Sequence, residues 1–144
     1  MTNPTAVKAP VVSIAARVDP LMKDWRTAIL KKDPDAVESL DRAFATYPRE
    51  FVPALMLSAE SDPDERVRSF STRVLGKLRP PESADLMRKL LSDKSSYVRF
   101  NAAWAVGELE DRGAVTRLRQ LQQRDASADV RRSARESLLK LEGS

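Results

Sequence analysis

The chain has 144 residues, 42% of them hydrophobic and 32% charged, which is enough apolar content for one packed core beneath a hydrated surface. It contains no cysteine and no histidine, which excludes disulfides, Cys/His zinc sites, thiolate nucleophiles and imidazole acid/base chemistry. Four glycines and 6% aromatics beside abundant Leu, Ala, Arg, Glu and Asp favour an all-α fold. No apolar run approaches a membrane span and no secretory signal is recognisable, so a cytoplasmic monomer is the expectation.

Residues 1–18 read as an N-terminal tail, flexible or packed on the rest, and residues 19–144 as one domain. Proline and aspartate then punctuate a series of helices. Asp19-Pro20, Asp33-Pro34 and Asp62-Pro63 each pair a capping carboxylate with proline at a first helical position. Pro48 and Pro81 mark two further starts, and Gly113 opens another after the turn Glu110-Asp111-Arg112. The expected helices span 20–31, 34–46, 49–60, 63–78, 82–92, 96–109, 113–124 and 128–141. Pro53 falls inside the third, where loss of an N–H and a ring clash predict a kink or a late start.

An internal repeat is the strongest signal. Asp62 precedes Val67-Arg68, Asp93 precedes Val98-Arg99, and Asp125 precedes Val130-Arg131, with each Asp six residues before its Arg. The three copies continue as Val74-Leu75-Gly76-Lys77-Leu78, Ala105-Val106-Gly107-Glu108-Leu109 and Ser137-Leu138-Leu139-Lys140-Leu141. A period of 31 and then 32 residues accommodates two helices and two short turns, and the clearest copies occupy 62–92, 93–124 and 125–141. Neither helix of a pair can bury its apolar stripe alone, so neighbouring pairs must stack as a solenoid.

The Asp, Val-Arg and Leu-Gly-x-Leu sequence resembles the HEAT repeat, in the short bacterial form also found in phycobilisome lyase subunits. The likeness covers 62–141. Leu139 departs from it where Gly76 and Gly107 keep the glycine, as do Phe70 and Asn101 in place of alanine. The resemblance implies a right-handed α-α superhelix of about four helix pairs, with only helix pairing and proline placement extending it through 19–60. It also implies a structural ladder in which Asp62, Asp93 and Asp125 bond with Arg68, Arg99 and Arg131 within and between repeats.

Two surfaces are candidates for a partner. The resemblance implies that the second helix of each pair lines a concave groove, and the repeat offset then aligns Leu57 with Arg88 and Arg119, and Lys89 with Gln120, alongside Arg117 and Arg124. Such a groove runs from an apolar to a cationic end and suits a protein segment with acidic and apolar parts. Phe100, Ala103 and Trp104 replace polar residues of the neighbouring copies and are expected on the convex side as an apolar patch. Either a partner meets that patch, the Val11, Val12 and Ile14 segment folds over it, or the helix is rotated into the core.

The charge is uneven. Residues 1–60 hold eight basic and eight acidic side chains, whereas 61–144 hold seventeen and thirteen. The solenoid architecture makes the leading function a non-catalytic scaffold that binds another protein, with no cofactor and no metal. One alternative is a nucleic-acid binder using the Arg-rich C-terminal third, extending to a glycosylase-like pairing of Trp104 with Glu108, although Glu108 occupies an ordinary repeat ending. The other, carried only by the repeat subtype, is a lyase- or chaperone-like subunit for a tetrapyrrole-bearing protein.

Overall fold

In the computed structural model residues 13–143 are described, and the Val11 and Val12 segment lies outside them. Eight helices follow one another in that span: α1 (Ile14–Leu30), α2 (Pro34–Thr46), α3 (Pro48–Ser61), α4 (Glu65–Leu78), α5 (Ala84–Leu90), α6 (Ser96–Glu108), α7 (Val115–Arg124) and α8 (Ala128–Glu142). Short 3₁₀ turns at Pro81–Ser83 and Arg112–Ala114 lead into α5 and α7, where the sequence predicts full α-helix from the start.

Three proline assignments are corrected. Asp19-Pro20 does not begin a helix; α1 starts at Ile14 and carries Pro20 in its interior. Pro20 is exposed, while Val18, Leu21 and Met22 pack on the core from both sides of it, so the missing amide costs a bond at the wet surface. Pro63 precedes its helix, because Asp64 rather than Asp62 caps α4 by accepting from the Arg66 N–H at 2.8 Å. Asp62 is otherwise engaged. α3 begins on Pro48 and continues through the exposed Pro53 to Ser61, so the expected late start does not occur.

Regular two-helix units are formed by α3 with α4, α5 with α6 and α7 with α8. Between units, α4 lies closely along α6 and α6 along α8, whereas α3, α5 and α7 hardly touch one another. Helices of one layer crowd together on the inside of a curve and stand apart on its outside, so α4, α6 and α8 form the inner row. Small residues permit that approach. A Cβ on Gly76 would stand 2.4 Å from the Trp104 ring, and one on Gly107 would stand 2.5 Å from Ser137 Oγ. Ser133 Oγ and Ser137 Oγ donate across the next joint to the carbonyls of Phe100 and Ala103, at 2.9 and 2.5 Å.

The first two helices are built differently. Trp25 of α1 meets Phe44 of α2 edge-on with ring centroids 5.1 Å apart, and Phe44 meets Phe51 of α3 at 4.9 Å. All three are fully buried. α1 packs on α3 and α4 as well as on α2, so it occupies the place of an inner-row helix, and α2 is an additional helix laid against it. The about four helix pairs expected are thus three regular units preceded by α1 and α2.

Candidate partner-binding surfaces

The repeated Asp and Arg meet along the turns that enter α4, α6 and α8. Arg68 Nε and Nη2 donate to both carboxylate oxygens of Asp93, at 3.2 and 3.1 Å, and Arg99 does the same to Asp125 at 2.9 and 3.2 Å. Each guanidinium uses its remaining Nη1 to hold its own repeat, Arg68 on the carbonyls of Asp62 and Pro63, and Arg99 on those of Asp93 and Lys94. The aspartates also accept a backbone N–H two residues on, from Asp64, Ser95 and Ser127. One side chain therefore shapes a turn and ties two repeats. The pair side chains are only 6% and 11% exposed for Arg68 and Asp93, a burial in which a fork of two charge-assisted bonds must offset the loss of hydration. Burial pushes the Asp125 carboxyl up, but the Arg99 bond, the Ser127 N–H and the charges of Arg99 and Arg117 outweigh it and hold the group below the usual carboxylate range.

On the inner side a groove of about 690 Å³ opens between the end of α1, α2 and α4. Ile29, Val37 and Phe70 supply apolar lining, with Lys32, Arg66, Arg73 and Lys77 and the carboxylates of Asp33, Glu38 and Asp41 around it. The Arg73 guanidinium lies over the Phe70 ring, 5.2 Å from its centroid, and 3.9 Å from Asp41. Its Nε is buried without a hydrogen-bond partner. Trp25 Nε1 donates to Asp41 at 3.0 Å. Burial nevertheless raises the Asp41 carboxyl above its ordinary value, against the lowering effect of the Trp25 bond and of the Arg73 and Lys77 charges.

A family model described as HEAT repeats matches residues 52–139. The chain belongs to the HEAT-repeat family. The match takes in all but the edges of α3 to α8 and leaves out α1 and α2, the same division that the packing draws. A search of curated proteins finds no match. HEAT repeats commonly serve as protein-interaction scaffolds. Among the described residues no helix is long and apolar enough to cross a membrane.

Within this HEAT solenoid the residues expected in the concave groove lie elsewhere. Leu57 is on α3, Arg88 and Lys89 on α5, and Arg117, Arg119 and Arg124 on α7, all in the splayed outer row. The reason is that α4, α6 and α8, with their small residues, are the helices that close up. Several of those cations are also engaged by the protein itself. Arg88 forks onto Asp111 at 2.7 and 2.9 Å, Lys89 bonds Glu60 at 2.6 Å, and Arg119 pairs with Glu142. Arg117 and Arg124 instead flank the ladder at Asp93 and Asp125. Leu57 remains 67% exposed.

The patch expected on the convex side is corrected as well. Phe100 and Trp104 are on the inner row and only partly buried, while Ala103 is fully buried against α8. The Trp104 ring fills the notch at Gly76, and the Val11 and Val12 segment offered as its cover lies outside the described residues. Glu108 is not poised beside it as an acid; it pairs with Arg79 of the preceding repeat and Lys140 of the next, at 3.1 and 2.7 Å.

Sequence reasoning missed Arg26 and the groove. Arg26 of α1 forks onto Asp62 at 2.8 and 3.3 Å and supplies the first rung. Trp25-Arg26 is the counterpart of Val67-Arg68, but the separation to the next aspartate is 36 residues rather than 25 or 26 because α2 is inserted between them.

Proposed function

We propose that this HEAT-repeat protein is a non-catalytic scaffold that seats a segment of another protein, apolar with acidic residues, in the inner groove between α1, α2 and α4. The observation that carries this reading is an apolar lining at Ile29, Val37 and Phe70 beside Lys32 and Lys77, which form no ion pair among the described residues, in a groove whose rim also holds Asp33, Glu38 and Asp41. An apolar anchor gains by leaving water, and an acidic neighbour gains a charge-assisted bond to the rim. The outer-row cations are a weaker candidate, since Arg88, Lys89 and Arg119 already have carboxylate partners. The same pairing reduces the positive field that a phosphate backbone would need.

A photo-crosslinking amino acid placed at Phe70, with Leu57 as the outer-row control, tests the proposal in the source cell. The expected result is a protein adduct from position 70 that disappears in a Lys77→Glu background. Adducts from position 57 alone, or adducts to nucleic acid from position 70, overturn it.

A further inference from the structure

Among the described residues one ladder arginine is unmatched. Arg26, Arg68 and Arg99 each grip the aspartate of the repeat that follows, whereas Arg131 in α8 has no such aspartate among the described residues. Its side chain is nonetheless set as theirs are. Arg131 Nη1 donates to the carbonyls of Asp125 and Ala126, at 2.6 and 3.3 Å, matching the bonds by which Arg68 and Arg99 are held. The outward edge, Nε and Nη2, is left without an acceptor among the described residues and points the way in which the earlier rungs bind a carboxylate.

The surface around it departs from the repeat in an informative way. Arg68, Thr72 and Gly76 form the stripe of α4 on which α6 packs, and Arg99, Ala103 and Gly107 form the corresponding stripe beneath α8. On α8 the same positions hold Arg131, Arg135 and Leu139, spaced one turn apart. Arg135 is exposed and Leu139 is 64% exposed. An arginine where a small residue stands, and a leucine where glycine lets the helices touch, block the close approach of another regular repeat or of a second copy stacked in its place. They suit a narrower, acidic occupant.

We infer that the outward face of α8 is a second binding site, in which a carboxylate on a protein partner completes the ladder on Arg131 beside Arg135 and Leu139. The recognition element is an aspartate at a turn, presenting both oxygens to Nε and Nη2 as Asp93 and Asp125 do, with an apolar side chain against Leu139. The inference shares no residue with the inner groove and stands or falls separately from that proposal.

The test uses the full chain with ¹⁵N-labelled arginine and two peptides, acetyl-Asp-Ala-Ser-Leu-amide and its Asn counterpart, followed through the Arg Nε–H signals. The expected result is a saturable shift of the Arg131 signal by the Asp peptide, with affinity weaker by roughly tenfold for the Asn peptide. Arg99, already paired, stays still. Arg135→Glu and Leu139→Gln, which leave the Nη1 bonds intact, each weaken the response. No Arg131 shift, an equal response to the Asn peptide, or a shift produced instead by a single-stranded DNA oligonucleotide overturns the assignment.

Discussion

The two ends of the solenoid solve the same problem by different means. From α3 to α8 each repeat is joined to the next by a buried Arg–Asp fork and by small residues that let inner helices touch. At α1 and α2 the fork survives in Arg26 and Asp62, but the Arg26 side chain is 41% exposed and the joint is dominated by Trp25, Phe44 and Phe51. A periodic joint can be copied in every repeat because each copy meets the same neighbour. The aromatic joint fits one place only, and a groove opens between α2 and α4 beside it. Regularity thus builds the scaffold, and the break in regularity builds the cavity.

Truncating the aromatic joint has the largest expected effect. Phe44→Ala removes a fully buried ring from between two others and is expected to cost about 4 kcal/mol in urea unfolding. Because repeats interact mainly with neighbours, the loss stays local: hydrogen exchange accelerates in α1 and α2 while α6 and α8 keep their protection. Uniform loss of protection along the chain breaks the distinction between the two ends. Breaking a rung of the ladder is expected to cost somewhat less. Asp93→Asn leaves the Arg68 guanidinium buried beside a neutral acceptor, and a loss of about 3 kcal/mol follows, with faster exchange at the joint between α4 and α6. A loss no larger than that of an exposed pair shows that the carbonyl bonds of Nη1 alone hold the turn.

The regular half is the half that the sequence reveals. Asp62, Asp93 and Asp125 recur at nearly fixed spacing with their arginines, so period and partners are visible together. Curvature is not visible in that way, since both helices of every unit carry one buried stripe and the pattern alone does not tell which row closes up. Gly76, Ala103 and Gly107 hold that information: they lie on the stripe where α4, α6 and α8 touch, and the absence of bulk there draws those helices to the inside. The candidate groove was hidden for a related reason. Phe70 looks like a single departure from a repeat, and Arg73 like an ordinary polar position, until α2 is placed beside them. Pro20 misled because its lost amide faces water, where the cost to a helix is least.

Acid sharpens the comparison with a difference of sign. Asp125 in the ladder has its folded-state pKa lowered, so it contributes stability above the unfolded carboxylate value that is lost as pH falls through the folded one. Asp41 at the aromatic end has its folded-state pKa raised by burial, so its ionised form is a liability at neutral pH that protonation relieves. Urea unfolding between about pH 7 and pH 3 therefore separates the two ends, across the range where carboxylates titrate. Relative to the native chain, Asp125→Asn flattens the acid-side loss and Asp41→Asn steepens it. The same slope change in both variants removes the claimed contrast.

The smallest effect is expected on the outer row, where the Lys89–Glu60 pair links α5 to α3 with side chains 67% and 45% exposed. Water and salt screen such a pair and its ordering costs side-chain entropy, so Lys89→Met is expected to change stability by about 0.5 kcal/mol or less. The outer helices barely touch, and this bond is among the few features crossing from one to the next. If it acted as a strut that sets curvature, its removal would alter the spacing of the outer row and with it the inner groove. Small-angle scattering of the variant distinguishes the two roles: an unchanged radius of gyration assigns curvature to the small residues of the inner row, whereas an expanded one assigns part of it to the exposed pair.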